Sequence, residues 1–223
     1  MTDVNIEELI GKLSNFFQPH PWHGVALREK GQNEYVNAFI EIVPSDKIKY
    51  ELDKASGFLK IDRPQKFTNV MPAMYGLVPK TYCAEKCAEY TSKILDRKLE
   101  GDHDPLDILV LSEREVTHGN LLVECRPIGG LRMIDGGEVD DKIIAVLKDD
   151  AVYGDIKDVS ELPSKVAKRL SHFFLTYKGA PEEGVKPKVE ITHVYNAEEA
   201  KKVIELATED YNSHFPMSKL LNS

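Results

Sequence analysis

The sequence predicts a mainly β protein with flanking α-helices, folded as a single domain, and two observations carry that expectation. Between Tyr35 and about 147, short apolar segments rich in β-branched and aromatic residues follow one another with turns between them. Toward both ends, apolar residues instead recur at spacings of three and four, the helical period. Short strands joined by turns suggest a closed or nearly closed barrel. The expected layout is an N-terminal helix over about 5–17, a barrel core over about 35–147, and C-terminal helices over about 163–178 and 197–212. A segment at 82–99 reads as an insertion between two strands.

Each element has its own signal. Ile6, Leu9, Ile10, Leu13, Phe16 and Phe17 share one helical face, and Asn5 with Glu8 resembles a capping box. His20-Pro21-Trp22-His23-Gly24 breaks that helix. Tyr35–Val43 is rich in β-formers and ends at Pro44. Ile48, Tyr50 and Leu52 alternate with Lys47, Lys49 and Glu51, the pattern of a half-buried strand. Asp53–Gly57 is a turn, and Phe58–Arg63 returns as the second arm of a hairpin. Leu106–Leu111, Leu121–Ile128, Leu131–Ile134, Lys142–Val146 and Val189–Tyr195 complete the predicted strands. Pro163 suits a helix start, and Val166, Leu170, Phe173, Phe174 and Tyr177 form an apolar stripe ending near Gly179. Asn196 with Glu199 reads as a second capping box, opening a helix that buries Ala200, Val203, Ile204 and Ala207.

Composition narrows the function classes. The 223 residues include 37 Asp plus Glu against 29 Lys plus Arg, a net charge of -8. A nucleic-acid binder would show a basic excess or stripe, and neither is present. An anionic substrate would need local cations to offset the field. The three cysteines, Cys83, Cys87 and Cys125, are few and odd in number, which fits a reducing compartment. No basic leader precedes a long apolar stretch, and no apolar run approaches the ~20 residues a membrane span needs. A cytoplasmic, membrane-free protein is the expectation.

The chemistry concentrates in Gly101-Asp102-His103-Asp104-Pro105-Leu106-Asp107, which places three carboxylates within six residues just ahead of a strand. Carboxylates this close repel, so either some hold protons or a cation neutralises them. Hard oxygen donors suit Mg²⁺, Mn²⁺ or Ca²⁺ better than zinc. A solvated acidic turn is the competing reading, and Pro105 argues against an EF-hand. A second acidic group, Asp135, Glu138, Asp140 and Asp141, has Gly136-Gly137 for a tight turn and is followed by Lys142. Alone it reads as a hairpin loop; two acidic loops at matching strand ends can share metal ions. Lys49 and Glu51 project to one side of their strand. Lys49 and Arg63 are candidates to bind phosphate oxygens, Arg63 in a two-pronged fashion. Cys83-x-x-x-Cys87 lacks two further ligands for zinc, so reduced structural cysteines are preferred.

The motif Asp-His-Asp-Pro-Leu-Asp closely resembles the signature of family I soluble inorganic pyrophosphatases. The resemblance extends over Phe39-Ile-Glu-Ile-Val, Ile48-Lys-Tyr-Glu-Leu-Asp-Lys, Ile61-Asp-Arg, Tyr75-Gly, Cys125-Arg-Pro-Ile-Gly, Asp140-Asp-Lys-Ile-Ile-Ala-Val and His172-Phe-Phe-Leu-Thr-Tyr-Lys, in family order. His20-Pro-Trp-His resembles the plant-type members. The resemblance implies an OB-like five-stranded β-barrel that hydrolyses pyrophosphate with several Mg²⁺ ions, or other divalent cations such as Mn²⁺. It implies Asp102, Asp107, Asp135 and Asp140 as metal ligands, with Glu41 supporting them, and Asp104 as the acceptor of the attacking water's proton. Lys49, Arg63, Lys142, Tyr177 and Lys178 would hold phosphate, while Glu51 and Tyr75 would line the cavity.

The chain departs from the family pattern at Met71, where many members carry tyrosine, and at Gly136, where some bacterial members carry glutamate. A homo-oligomer is implied, but Tyr82–Leu99 is longer than the matching loop in short bacterial members, so the resemblance leaves hexamer, dimer or another state open. The rival functions are a hydrolase of a larger phosphoanhydride and a non-catalytic metal- or oligonucleotide-binding OB-like module.

Overall fold

Strand β1, Val36–Ile42, is buried along its whole length because it has partners on both edges. In this computed structural model, which describes residues 18–66, 68–179 and 188–216, those partners are β4 (Met74–Leu77) and β7 (Leu121–Asp135). The expected N-terminal helix and its Asn5–Glu8 cap lie outside the described residues. From β4 the ladder runs to β6 (Asp107–Leu111), then in parallel to β9 (Lys142–Leu147), then to β7 and back to β1. Five strands thus close on themselves, the OB-like barrel that the sequence resemblance implies. Closure leaves no free edges on the ring.

Both faces of these strands are covered, so apolar residues run consecutively instead of alternating. Ile108 and Val110 of β6 face a core capped by two helices, α1 (Glu85–Leu95) and α3 (Ala197–His214). Their neighbours Leu109 and Leu111 face a second core under α2 (Ser164–Thr176), with Phe173 and Phe174.

Two strand expectations are corrected. The sequence divides Leu121–Ile128 from Leu131–Ile134 at Gly129-Gly130, but β7 is continuous over 15 residues. It bends through a register shift between Pro127 and Gly129. Its first part pairs β1, its middle pairs β9, and its end pairs β8 (Glu138–Val139) and β10 (Val189–Asn196). The glycines are there for contact: a β-carbon on Gly130 would strike the Tyr195 ring. Strand β4 carries no strong signal because it is only four residues long, with Gly76 inside it and Pro72 just before.

Strands β2 (Ile48–Leu52) and β3 (Leu59–Pro64) form a separate hairpin, as the alternation predicts. Its turn is built by Asp53, whose carboxylate accepts from the Ser56 amide at 2.9 Å and the Ser56 hydroxyl at 2.7 Å. The 82–99 segment contains α1, a helix with no local side-chain cap. Asp210 of α3 supplies one from a distance, accepting from the amides of Ala84, Lys86 and Cys87 at 3.0–3.1 Å. The second capping box is only half formed. Asn196 accepts from the Glu199 amide at 3.0 Å, but the Glu199 carboxylate turns to Arg132 at 3.1 Å. Cys83, Cys87 and Cys125 are buried thiols, and no described helix is long and apolar enough to cross a membrane.

Candidate active site

The acidic motif occupies the link from the two-residue strand β5 (Glu100–Gly101) into β6. It is clamped to the chain before α1: the Cys83 amide donates to Asp104 O at 2.9 Å, and the His103 amide donates to Cys83 O at 3.0 Å. His103 takes a left-handed conformation with φ of 59°, which reverses the chain between Asp102 and Asp104. Its ring stays in place against the Tyr82 hydroxyl at 3.1 Å. Asp102 also accepts from the Asp104 amide at 3.1 Å.

Strand register brings in the second acidic group. Asp107 opens β6 and Lys142 opens β9, and the two are paired neighbours. Gly136 and Gly137, at φ of 62° and 100°, turn the chain between β7 and β8. Asp140 follows β8, so it and Lys142 face the same space. The Lys142 ammonium lies between the Asp107 and Asp140 carboxylates, and Lys178, just past α2, pairs with Asp135. From the hairpin, Lys49 contacts Glu51 and lies 3.1 Å from Asp62. Glu41 of β1 is 7% exposed and accepts from the Leu52 amide at 2.6 Å.

These groups surround a cavity of about 680 Å³. Glu41, Lys49, Glu51, Tyr75, Asp102, Asp104, Asp107, Asp135, Asp140, Lys142, Tyr177 and Lys178 all line it. Arg63 does not. Its guanidinium lies 5.9 Å from the Tyr177 ring centre, beside the wall, and its Nη1 is buried without a hydrogen-bond partner among the described residues. Glu138 of the second acidic group lines the cavity too, as do Lys54, Lys60 and Asp53, which sequence reasoning did not select. Lys54 pairs with Asp104. The hairpin turn signalled its presence near Lys49 and Glu51, but only the fold sets its tip against the acidic loop.

The electrostatics are those of crowded carboxylates. Burial, and then the neighbouring Asp107 charge, pushes Glu41 up to about 8. Asp102 is held well above the usual carboxylate range by burial and by Asp140, and burial raises Asp140 as well. Burial opposes the charge on Lys142, yet Asp107 and Asp140 hold its ammonium well above the ordinary lysine value. Burial also raises Tyr75 and Tyr177. Among the described residues, no three carboxylate, histidine or cysteine groups converge as a preassembled metal cage. Lysines and retained protons do the neutralising. The donors still fit hard divalent cations: they are all oxygens, and the protons that burial favours on Asp102 and Asp140 are ones a cation would displace.

Comparison with known proteins agrees with this geometry. The family model described as inorganic pyrophosphatase matches residues 38–212. The inorganic pyrophosphatase of Chlamydia caviae is 52% identical over 204 residues, covering 90% of this chain and 94% of that protein. Soluble inorganic pyrophosphatase 2 of Chlamydomonas reinhardtii is 37% identical over 91% of this chain and 94% of its own length. The crystal structure of inorganic pyrophosphatase from Thermus thermophilus superposes with a TM-score of 0.68 at 31% identity, covering 84% of this chain and 97% of that one. With an acidic cavity of this composition at the mouth of a closed five-stranded barrel, the chain belongs to the inorganic pyrophosphatase family.

Proposed function

We propose that this chain hydrolyses pyrophosphate to two phosphates by direct attack of water, with several divalent cations, Mg²⁺ foremost and Mn²⁺ as an alternative. One observation carries the metal requirement. Nine carboxyl groups and five lysines line the cavity, and even with the protons that burial favours on Glu41, Asp102 and Asp140 the remaining acids outnumber the lysines where a dense anion must bind. Such a site repels its substrate unless extra cations enter. Asp102, Asp107, Asp135 and Asp140 would hold them, with Glu41 behind. When bound, divalent ions cancel that repulsion and lower the pKa of water to make it a nucleophile.

The protein's own groups account for the rest. Asp104 is half-exposed at the cavity wall and accepts the proton of the attacking water. Lys49, Lys142, Lys178 and the Tyr177 hydroxyl hold phosphate oxygens and stabilise charge on the transferred group and its leaving phosphate. The unpartnered Arg63 nitrogen is a buried donor waiting for an anion, which supports its assignment to the same role. Glu51 keeps Lys49 oriented, and Tyr75 closes the floor. Lys54 and Lys60 add positive charge at the hairpin side.

Three buried thiols support a reducing, cytoplasmic setting. Exposed Phe58, Ile61 and Val70 support self-association as a homo-oligomer, to be measured by light scattering. The functional test is phosphate release from pyrophosphate and from ATP, each with and without Mg²⁺. Turnover of pyrophosphate that requires a divalent cation, with ATP far slower, is expected. Comparable rates on ATP would favour a hydrolase of larger phosphoanhydrides, and no pyrophosphate turnover under any divalent cation would end the enzymatic reading.

A further inference from the structure

Asp140, Asp141 and Lys142 are three consecutive charged residues, so hydrophobic patterning cannot choose which of them face the cavity. In a strand the choice is binary: a slip of one residue would turn Asp141 inward and carry Asp140 and Lys142 away. Asp141 is instead directed into the core under α1 and α3, where its Oδ2 accepts from Arg132 Nε at 3.0 Å. The pair is sealed, with the Arg132 side chain 0% and that of Asp141 2% exposed. Arg132 is further fixed between the Tyr90 and Tyr195 rings, at 5.4 and 5.1 Å, and by Glu199 of α3 at 3.1 Å. The backbone follows the same register, with Ile134 opposite Val139, the Asp140 amide donating to Met133 O at 3.0 Å, and Leu131 opposite Lys142.

We propose that the buried Arg132–Asp141 pair is a positioning device that selects the strand register, placing Asp140 and Lys142 in the cavity. It tells two adjacent aspartates apart by giving one of them a cation in the core. Glu199 and Tyr90 couple that choice to the packing of α3 and α1, so helices that touch no substrate help to orient the acidic site. The proposal rests on the reading of Asp140 as a metal ligand, and its test separates the two.

The test measures Mn²⁺ binding to the metal-stripped full chain by calorimetry, alongside the melting temperature and the kcat and KM for pyrophosphate. Removing one partner of a buried pair threatens folding, whereas replacing both with apolar groups is tolerated. The deciding variant is therefore the double change Arg132→Met with Asp141→Val. It should melt within a few degrees of the parent, while Mn²⁺ affinity and kcat each fall at least tenfold. A folded double variant with both values within threefold of the parent overturns the proposal. If that variant does not fold, Asp141→Glu decides, because it keeps the charge but lengthens the arm by one methylene. At least a threefold loss of Mn²⁺ affinity is expected from it, and unchanged affinity overturns the proposal. Asp140→Asn is the control: unchanged Mn²⁺ binding there would refute the ligand reading itself, and the positioning role with it.

Discussion

Replacing Glu41 with Gln should flatten the pH dependence of stability of the metal-stripped protein between pH 6 and 8. Glu41 is buried, and burial with the nearby Asp107 charge raises it from 4.5 to about 8. Between those two values the folded protein keeps a proton that the unfolded chain releases. The folded state thus binds one proton more, and stability falls by about 1.36 kcal/mol for each pH unit gained. From pH 6 to 8 the loss is about 2.3 kcal/mol, because the slope halves as pH reaches the folded-state value. Glu41's contribution is fully present below about pH 4.5 and is lost as pH rises through about 8. Glutamine keeps the carbonyl that accepts the Leu52 amide, at 2.6 Å in the parent, and has no proton to lose. Urea unfolding in chelator at pH 6, 7 and 8 is the assay. The variant's stability relative to the parent should rise by about 2 kcal/mol between pH 6 and pH 8. Equal pH slopes in parent and variant would refute the argument.

Three further outcomes follow from the same geometry. Asp104→Asn should lower kcat by roughly 10²–10⁴-fold without changing the circular dichroism spectrum, since the side chain is 52% exposed. Lys54→Met should barely move the urea midpoint, because a half-exposed ion pair contributes at most ~1 kcal/mol, but KM for pyrophosphate should rise several-fold in steady-state assays. Gly130→Ala should cost about 1–3 kcal/mol in urea unfolding, as the added methyl meets the Tyr195 ring.

Much of the chemistry was legible because it is local. The Asp102–Asp107 cluster announces through charge spacing alone that protons or cations must offset it, and the Lys49/Glu51 alternation survives as one face of the hairpin. The misses share a cause, which is contact across the sequence. Strand β4 and the continuity of β7 depend on neighbours that make glycine and proline acceptable. Lys54 is an ordinary turn lysine until the hairpin tip meets Asp104. The cap of α1 is invisible beforehand because Asp210 provides it from another helix.

By itself, the sequence determined the chain's mainly β character, the helices toward its C-terminal end and the presence of two acidic loops. Those follow from periodicity and charge, which need only near neighbours. Tertiary structure decided which of two adjacent aspartates enters the cavity, how far burial raises Glu41 and Asp102, and where Arg63 and Lys54 stand. Dielectric, register and distance arise only when strands close into a barrel, so no local pattern could carry them.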